Sequence, residues 1–208
     1  MTPTTTTPTT DGLIAAGAVG DTPNPFALPR GLTGRLAGWY MGRPDRQHRE
    51  LARLLPLQPD LRVVEVGFGP GQLLAELADR EPTLRLAGVD PSELMVGAAR
   101  RRNPNADLRV GAAAVMPFAD ASADLVLSVN NAPMWPDPVA ALAEIRRVLG
   151  PNGTLFVGWH GGTDPRGHQK QLLLDRDQFA ALDLAFRRAF PIVMHTSLAH
   201  SELWKASS

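Results

Sequence analysis

From about residue 61 onward the chain alternates two hydrophobic patterns. Leu61-Arg-Val-Val-Glu-Val66 is a nearly continuous apolar run that stops at Gly67, the pattern of a strand covered on both faces. Residues 72–80 follow with Leu73, Leu74 and Leu77 on one helical face. The pair then repeats, with a strand over 84–89 and a helix running to about Arg102, stopped by Asn103-Pro104. Asp90-Pro91-Ser92-Glu93 has the form of a helix start, with Asp90 as N-cap and Pro91 in the first turn. Residues 107–110, 123–129 and 154–160 read as further strands. Asp137-Pro138 opens a helix carrying Val139, Leu142, Ile145 and Leu149, and Gly150 is expected to end it as a C-cap glycine. A helix over about 176–190 and strands near 192–197 and 202–205 complete the pattern. Strands alternating with helices imply an α/β protein, a doubly wound parallel sheet with helices on both faces. Ligands bind such sheets at the C-terminal strand edge. Here that edge gathers residues 67–71, Asp90, residues 112–118, residues 130–135 and His160.

The chain ahead of this alternation differs. Residues 1–25 are rich in Thr, Pro, Gly and Ala, with Asp11 and Asp21 the only charged side chains. Such a segment buries too little apolar surface to offset its ordering entropy, and a disordered tail is expected. Residues 26–56 suit a helical cap. Leu32, Leu36, Trp39 and Tyr40 recur at helical spacing, and a second helix after Pro44 carries Leu51, Leu54 and Leu55. Residues 57–208 form the main domain. The length of 208 residues fits one domain plus an extension.

Composition narrows the chemistry. Lys+Arg and Asp+Glu are equal at 21 each, so no cationic surface for nucleic acid is implied. The absence of cysteine excludes disulfides, thiolate metal sites and Cys nucleophiles. No apolar run approaches the roughly 18 residues of a membrane span. The N-terminus lacks a basic segment of the secretory type, and a soluble cytoplasmic protein is expected.

The richest segment is Val63-Val-Glu-Val-Gly67-Phe-Gly69-Pro-Gly71. Three alternate glycines after a buried strand let the backbone turn with positive φ and let a ligand come close. The dinucleotide fingerprint spaces its glycines differently, G-x-G-x-x-G, and here Glu65 precedes the first by two. An acid at that point opposes a pyrophosphate and suits a cationic group. Asp90, 19 residues after Gly71, ends the next strand, where a carboxylate can accept from both hydroxyls of a ribose. A glycine turn followed by a ribose acid implies a nucleoside-containing cofactor.

These residues resemble class I S-adenosylmethionine-dependent methyltransferases, of the type that acts on small molecules. Val63 to Gly71 is similar to that family's first motif, and Gly88-Val-Asp-Pro-Ser-Glu-Leu-Met95 to its second-strand motif. Met116-Pro-Phe-Ala-Asp-Ala-Ser-Ala-Asp124 resembles the stretch before its fourth strand, and Glu144 to Gly153 the turn into its fifth. The resemblance covers about residues 60–160. It implies a Rossmann-like sheet of seven strands, mostly parallel, with an antiparallel last strand. It also implies S-adenosylmethionine as cofactor, with direct in-line displacement of its methyl group. Gly67, Phe68, Gly69 and Gly71 would then cradle the methionine part and ribose. Glu65 would lie near the amino group, Asp90 on the ribose hydroxyls, Pro91 and Met95 against adenine, and Asn130 at the cofactor edge. Many relatives carry Gly-Asp-Ala after the third strand, the Asp reading the adenine amino group. This chain has Gly111-Ala112-Ala113, which leaves only backbone groups of Ala112 and Ala113 for that role.

The acceptor side is less legible. Asn131 and Trp135, together with Trp39 and Tyr40 of the cap, are candidate pocket residues. His160 is the candidate general base, since an unperturbed imidazole titrates near pH 6.5. No metal site and no nucleic-acid or membrane partner is expected; the partner is a small-molecule methyl acceptor. Two other functions remain compatible with the residues: a catalytically idle member that binds cofactor or a partner chain, and a nicotinamide-dependent oxidoreductase.

Overall fold

The structure is a computed structural model that describes residues 18–19, 22–23, 46–165, 170 and 172–207. Ala18–Val19 pairs antiparallel with Thr22–Pro23, within the segment expected to lack structure. Helix α1 is Arg46–Leu54. Strand β1 (Arg62–Val66) leads to α2 (Gln72–Arg80), β2 (Arg85–Asp90) to α3 (Glu93–Arg102), and β3 (Asp107–Val110) to β4 (Ala123–Val129). A short 3-10 turn, Ala132–Met134, precedes α4 (Pro138–Val148) and β5 (Leu149–His160). The chain ends in α5 (Arg176–Ala189), β6 (Ile192–Ser197) and β7 (Ser201–Ser207).

The seven strands lie in the order β3-β2-β1-β4-β5-β7-β6. All pairings among β1 to β5 are parallel, and β7 inserts antiparallel between β5 and β6. This is the doubly wound sheet with an antiparallel last strand that the sequence implied. Strand alternation sends Val64, Val66, Val126, Leu155 and Val157 to one face, where α4 and α5 cover them. Val63, Leu125, Leu127 and Phe156 point to the other face, under α1 and α2, while Leu108 packs with α2 and α3. Among the described residues no helix is long and apolar enough to cross a membrane.

Two local expectations are corrected. The N-cap of α3 is Ser92, whose hydroxyl accepts from the Met95 N–H, and not Asp90. Asp90 turns its carboxylate elsewhere, as described below. Nor does Gly150 end α4 with a left-handed turn. Leu149 caps the helix in extended conformation and pairs at once with Ala123, so β5 begins there and its register with β4 shifts before Leu125. Asp137 caps α4 as expected, accepting from the Ala140 N–H with Pro138 in the first turn.

The motif residues at 116–124 and 144–147 serve the scaffold. Asp124 takes the backbone N–H and the guanidinium of Arg62, and Glu144 accepts from Met116 N–H and Arg147. These contacts return the chain from the end of β3 to the start of β4 and leave the C-terminal strand edge free for the site.

Candidate functional site

At the C-terminal end of β1, Gly67, Gly69 and Gly71 take φ of +73°, +52° and +75°. L-residues rarely adopt this left-handed conformation, whereas glycine does so without a Cβ penalty. The three positions differ in what surrounds them. A Cβ on Gly67 would overlap the Asn131 amide, and one on Gly71 would press on Asn103 and Ala99. Beside Gly69 nothing lies within 4 Å of where a Cβ would stand. The outer two glycines let the protein close on itself, and the middle one leaves a face open to a ligand.

Hydrogen bonds fix the loop. Gly67 N–H donates to the Val89 carbonyl at 2.7 Å, and Gly71 N–H to the Phe68 carbonyl at 2.9 Å. The Asn131 amide donates to the Val66 carbonyl, and Asn103 Nδ2 to the Gly71 carbonyl at 3.0 Å. Asp90 ties loop to helix: Oδ2 accepts from Gly69 N–H at 2.8 Å and Oδ1 from Ser92 N–H at 2.9 Å. Each oxygen retains a further lone pair for a ligand hydroxyl. Burial holds the Asp90 carboxyl above its ordinary range, against the opposing pull of the hydrogen bonds from Ser92 and Gly69.

Glu65 is the unusual group. It is 2% exposed on β1, and its Oε2 has no hydrogen-bond partner among the described residues. Burial, and then the neighbouring Asp90 charge, push its carboxyl up to about 8. A buried carboxylate oxygen without a donor is costly unless a ligand supplies one. Glu65 on β1 and Asp90 on β2 therefore flank an open glycine with one unmatched acceptor and one acceptor that can take more. That set suits an elongated ligand with a cationic end and a hydroxylated centre. Among the described residues no cluster of His, Asp and Glu is arranged to hold a metal ion.

Comparison with known proteins agrees with this arrangement. Residues 64–157 match the methyltransferase domain family. The chain is 34% identical over 119 residues to the trans-aconitate 2-methyltransferase of Variovorax paradoxus, covering 57% of this chain and 46% of that protein. It is also 34% identical over 147 residues to an uncharacterized methyltransferase of Mycobacterium tuberculosis, covering 69% of this chain and 59% of that one. Over residues 64–157 this chain has the sequence of a methyltransferase domain. Its fold is similar to that of a SAM-dependent methyltransferase from Aquifex aeolicus, with a TM-score of 0.67 at 16% identity over 81% of this chain and 95% of that one. The chain spans about half the length of the curated relatives it matches.

Within the methyltransferase domain, Glu65, Gly67, Gly69, Gly71 and Asp90 come together as expected. Phe68 contributes its carbonyl, while its ring is buried between α2 and α3. Pro91 is exposed beside Asp90, and Ala112 and Ala113 lie in the loop after β3. Met95 is packed inside the protein on α3 at 2% exposure, as buried as Glu65 but with no unmatched polar atom to offer a ligand. Asn131 and Trp135 are corrected. The Trp135 indole is buried in the main core and donates to Asn131 Oδ1 at 2.5 Å, so this pair braces the glycine loop and does not line an acceptor pocket. His160 ends β5, half-buried, its ring edge-on to Trp159 at 5.3 Å. By strand alternation it stands on the α1 side with Gly158 and Phe156. Trp39 and Tyr40 lie outside the described residues.

Sequence reasoning missed Gln47. It is fully buried on α1 and forms a reciprocal amide pair with Asn130, its Nε2 donating at 3.0 Å and its Oε1 accepting at 2.8 Å. Asn130 itself holds φ at +58°. The signal was a polar residue on the helical stripe of Leu51 and Leu55, which must find a partner when buried. Glu50 of the same helix accepts from Ala199 and His200 N–H at the β6–β7 turn. Helix α1 is thus moored across the C-terminal edge of the methyltransferase domain at two points.

Proposed function

We propose that this domain binds S-adenosylmethionine and transfers its methyl group to a small organic acceptor. The observation that carries the reading is the unpartnered Glu65 oxygen beside the open face of Gly69 and the Asp90 carboxylate. The donor set fits the cofactor: Glu65 meets an ammonium group, Asp90 meets ribose hydroxyls, and Gly69 admits the chain between them. When bound, the cofactor supplies a methyl group that its sulfonium already makes electrophilic, so no covalent activation by the protein is required. The protein's work is placement and exclusion of water, which supply several kcal/mol of the barrier. Helix α1, held by Gln47 and Glu50, closes the acceptor side. His160 takes a proton where the acceptor must lose one.

The balanced charge of the chain and the likeness to a trans-aconitate 2-methyltransferase support a small acceptor, not a nucleic acid. Isotope-labelled methyl transfer to a panel of small carboxylic acids, phenols and amines tests the reading. Label in an extracted small product supports it, and cofactor binding without transfer to any class refutes the catalytic half. With an acceptor in hand, His160→Ala should lower turnover at neutral pH while leaving cofactor affinity unchanged; an unchanged rate removes His160 as base.

A further inference from the structure

We propose that the base-binding end of this site leaves the purine 6-amino group unread, so that N6-alkylated forms of the nucleoside bind nearly as well as the adenine form. The inference rests on the cofactor reading above and specifies its third subsite. The strand order sets the direction of the ligand. Glu65 lies on β1, Asp90 ends β2, and Val110 ends β3 directly in register with Asp90. A ligand with its cationic end at Glu65 and its ribose at Asp90 lays the remaining part, the base, over the end of β3.

The chain there turns through Gly111, Ala112, Ala113, Ala114 and Val115, with no polar side chain among them. Val115 is 73% exposed and Val110 50% exposed, and with the exposed Pro91 they offer alkyl surface for a ring face. The backbone of this turn is partly committed. Gly111 N–H donates to the Asp90 carbonyl, Val115 N–H to the Ala112 carbonyl, and Met116 N–H to Glu144. The N–H groups of Ala113 and Ala114 make no hydrogen bond within the described residues. The nearby charges are engaged: Arg109 holds Asp107 and the Pro117 carbonyl, and Glu144 holds Arg147.

The turn therefore presents side-chain alkyl groups and backbone donors. Adenine offers an acceptor at N1 and a donor at its 6-amino group, and an N6,N6-dialkyl adenine keeps the N1 acceptor while losing the donor. Backbone N–H groups satisfy N1 of either, and this turn holds no carboxylate to prefer the free amino group. Sites built to hydrogen-bond a substrate N–H reject analogues lacking it by factors of about ten thousand, because the site's own polar group is stranded. Alkylation at N6 strands no side chain of this turn.

The test compares S-adenosylhomocysteine with its N6,N6-dimethyl analogue by calorimetric titration of the wild-type chain and of Ala112→Asp. The expected result is wild-type affinities within about tenfold of one another, because no hydrogen bond to a charged acceptor is at stake. Ala112→Asp should raise the preference for the free amino form by roughly tenfold or more. A wild-type loss above about a hundredfold for the dimethyl form, with S-adenosylhomocysteine binding normally, overturns the inference and leaves the cofactor reading standing. No binding of S-adenosylhomocysteine itself overturns both.

Discussion

Glu65→Gln should make the ligand-free protein more stable and a poorer binder at once. The wild-type carboxyl is pushed from its ordinary 4.5 up to about 8 by burial and by Asp90. Between those values the folded chain holds a proton that the unfolded chain has released. Stability is therefore fully present below about pH 4.5 and is lost as pH rises through 8, at about 1.4 kcal/mol per pH unit. Over the whole window the loss is about 5 kcal/mol, and by pH 7 it is about 3 kcal/mol. Gln is neutral in both states and escapes it. Urea unfolding from pH 5 to pH 9 should show the wild type falling away from Glu65→Gln by these amounts, with the two proteins close at the acid end. Asp90, also raised by burial, gives both proteins a slope of the same sign, so the difference between them reports Glu65 together with its coupling to Asp90. At about pH 8.5 the variant should bind S-adenosylhomocysteine more weakly by about 1.5–3 kcal/mol, the worth of a hydrogen bond to a charged group. Wild-type and variant curves that run parallel through the window would refute the account of Glu65, as would unchanged affinity.

Other substitutions test neighbouring parts of the site. Asp90→Ala removes the ribose acceptor and the partner of Gly69 N–H, and should weaken S-adenosylmethionine by about 1–3 kcal/mol in equilibrium dialysis. Gln47→Leu strands the Asn130 amide and should cost about 1–3 kcal/mol in chemical unfolding, with faster amide exchange along α1; unchanged exchange would remove the pair as a mooring. Ser128→Ala should be neutral or stabilising by up to about 1 kcal/mol, because its buried hydroxyl has no partner among the described residues, and a clear loss of thermal stability would show that it has one.

Much of this site was legible in the sequence because its constraints are local. Three alternate glycines after a buried strand dictate a backbone path, and an acid closing the next strand must stand beside it. The misread residues are those whose partners are distant. Asp90 and Ser92 both have cap chemistry, and only the approach of Gly69, from 21 positions upstream, decides that Asp90 faces the loop and Ser92 caps the helix. Spacing marked Asn131 and Trp135 as lying at the right edge. It did not show that they bond each other and brace the Val66 carbonyl, which turns them from pocket residues into scaffold. Gln47 reaches Asn130 across 83 positions, a separation that no local pattern encodes. At Gly150 the turn residues suggested a left-handed cap, and the pull of pairing with Ala123 carried the chain straight into β5 instead.

The most direct measurement is calorimetric titration of the purified chain with S-adenosylmethionine, S-adenosylhomocysteine and NAD, repeated at neutral pH in two buffers of different ionisation enthalpy. The account predicts binding of both sulfur nucleosides and not of NAD. It also predicts release of close to one proton, since Glu65 must ionise to meet the ammonium group. Binding of NAD in their place would contradict the cofactor assignment, and binding with no proton released would contradict the role given to Glu65.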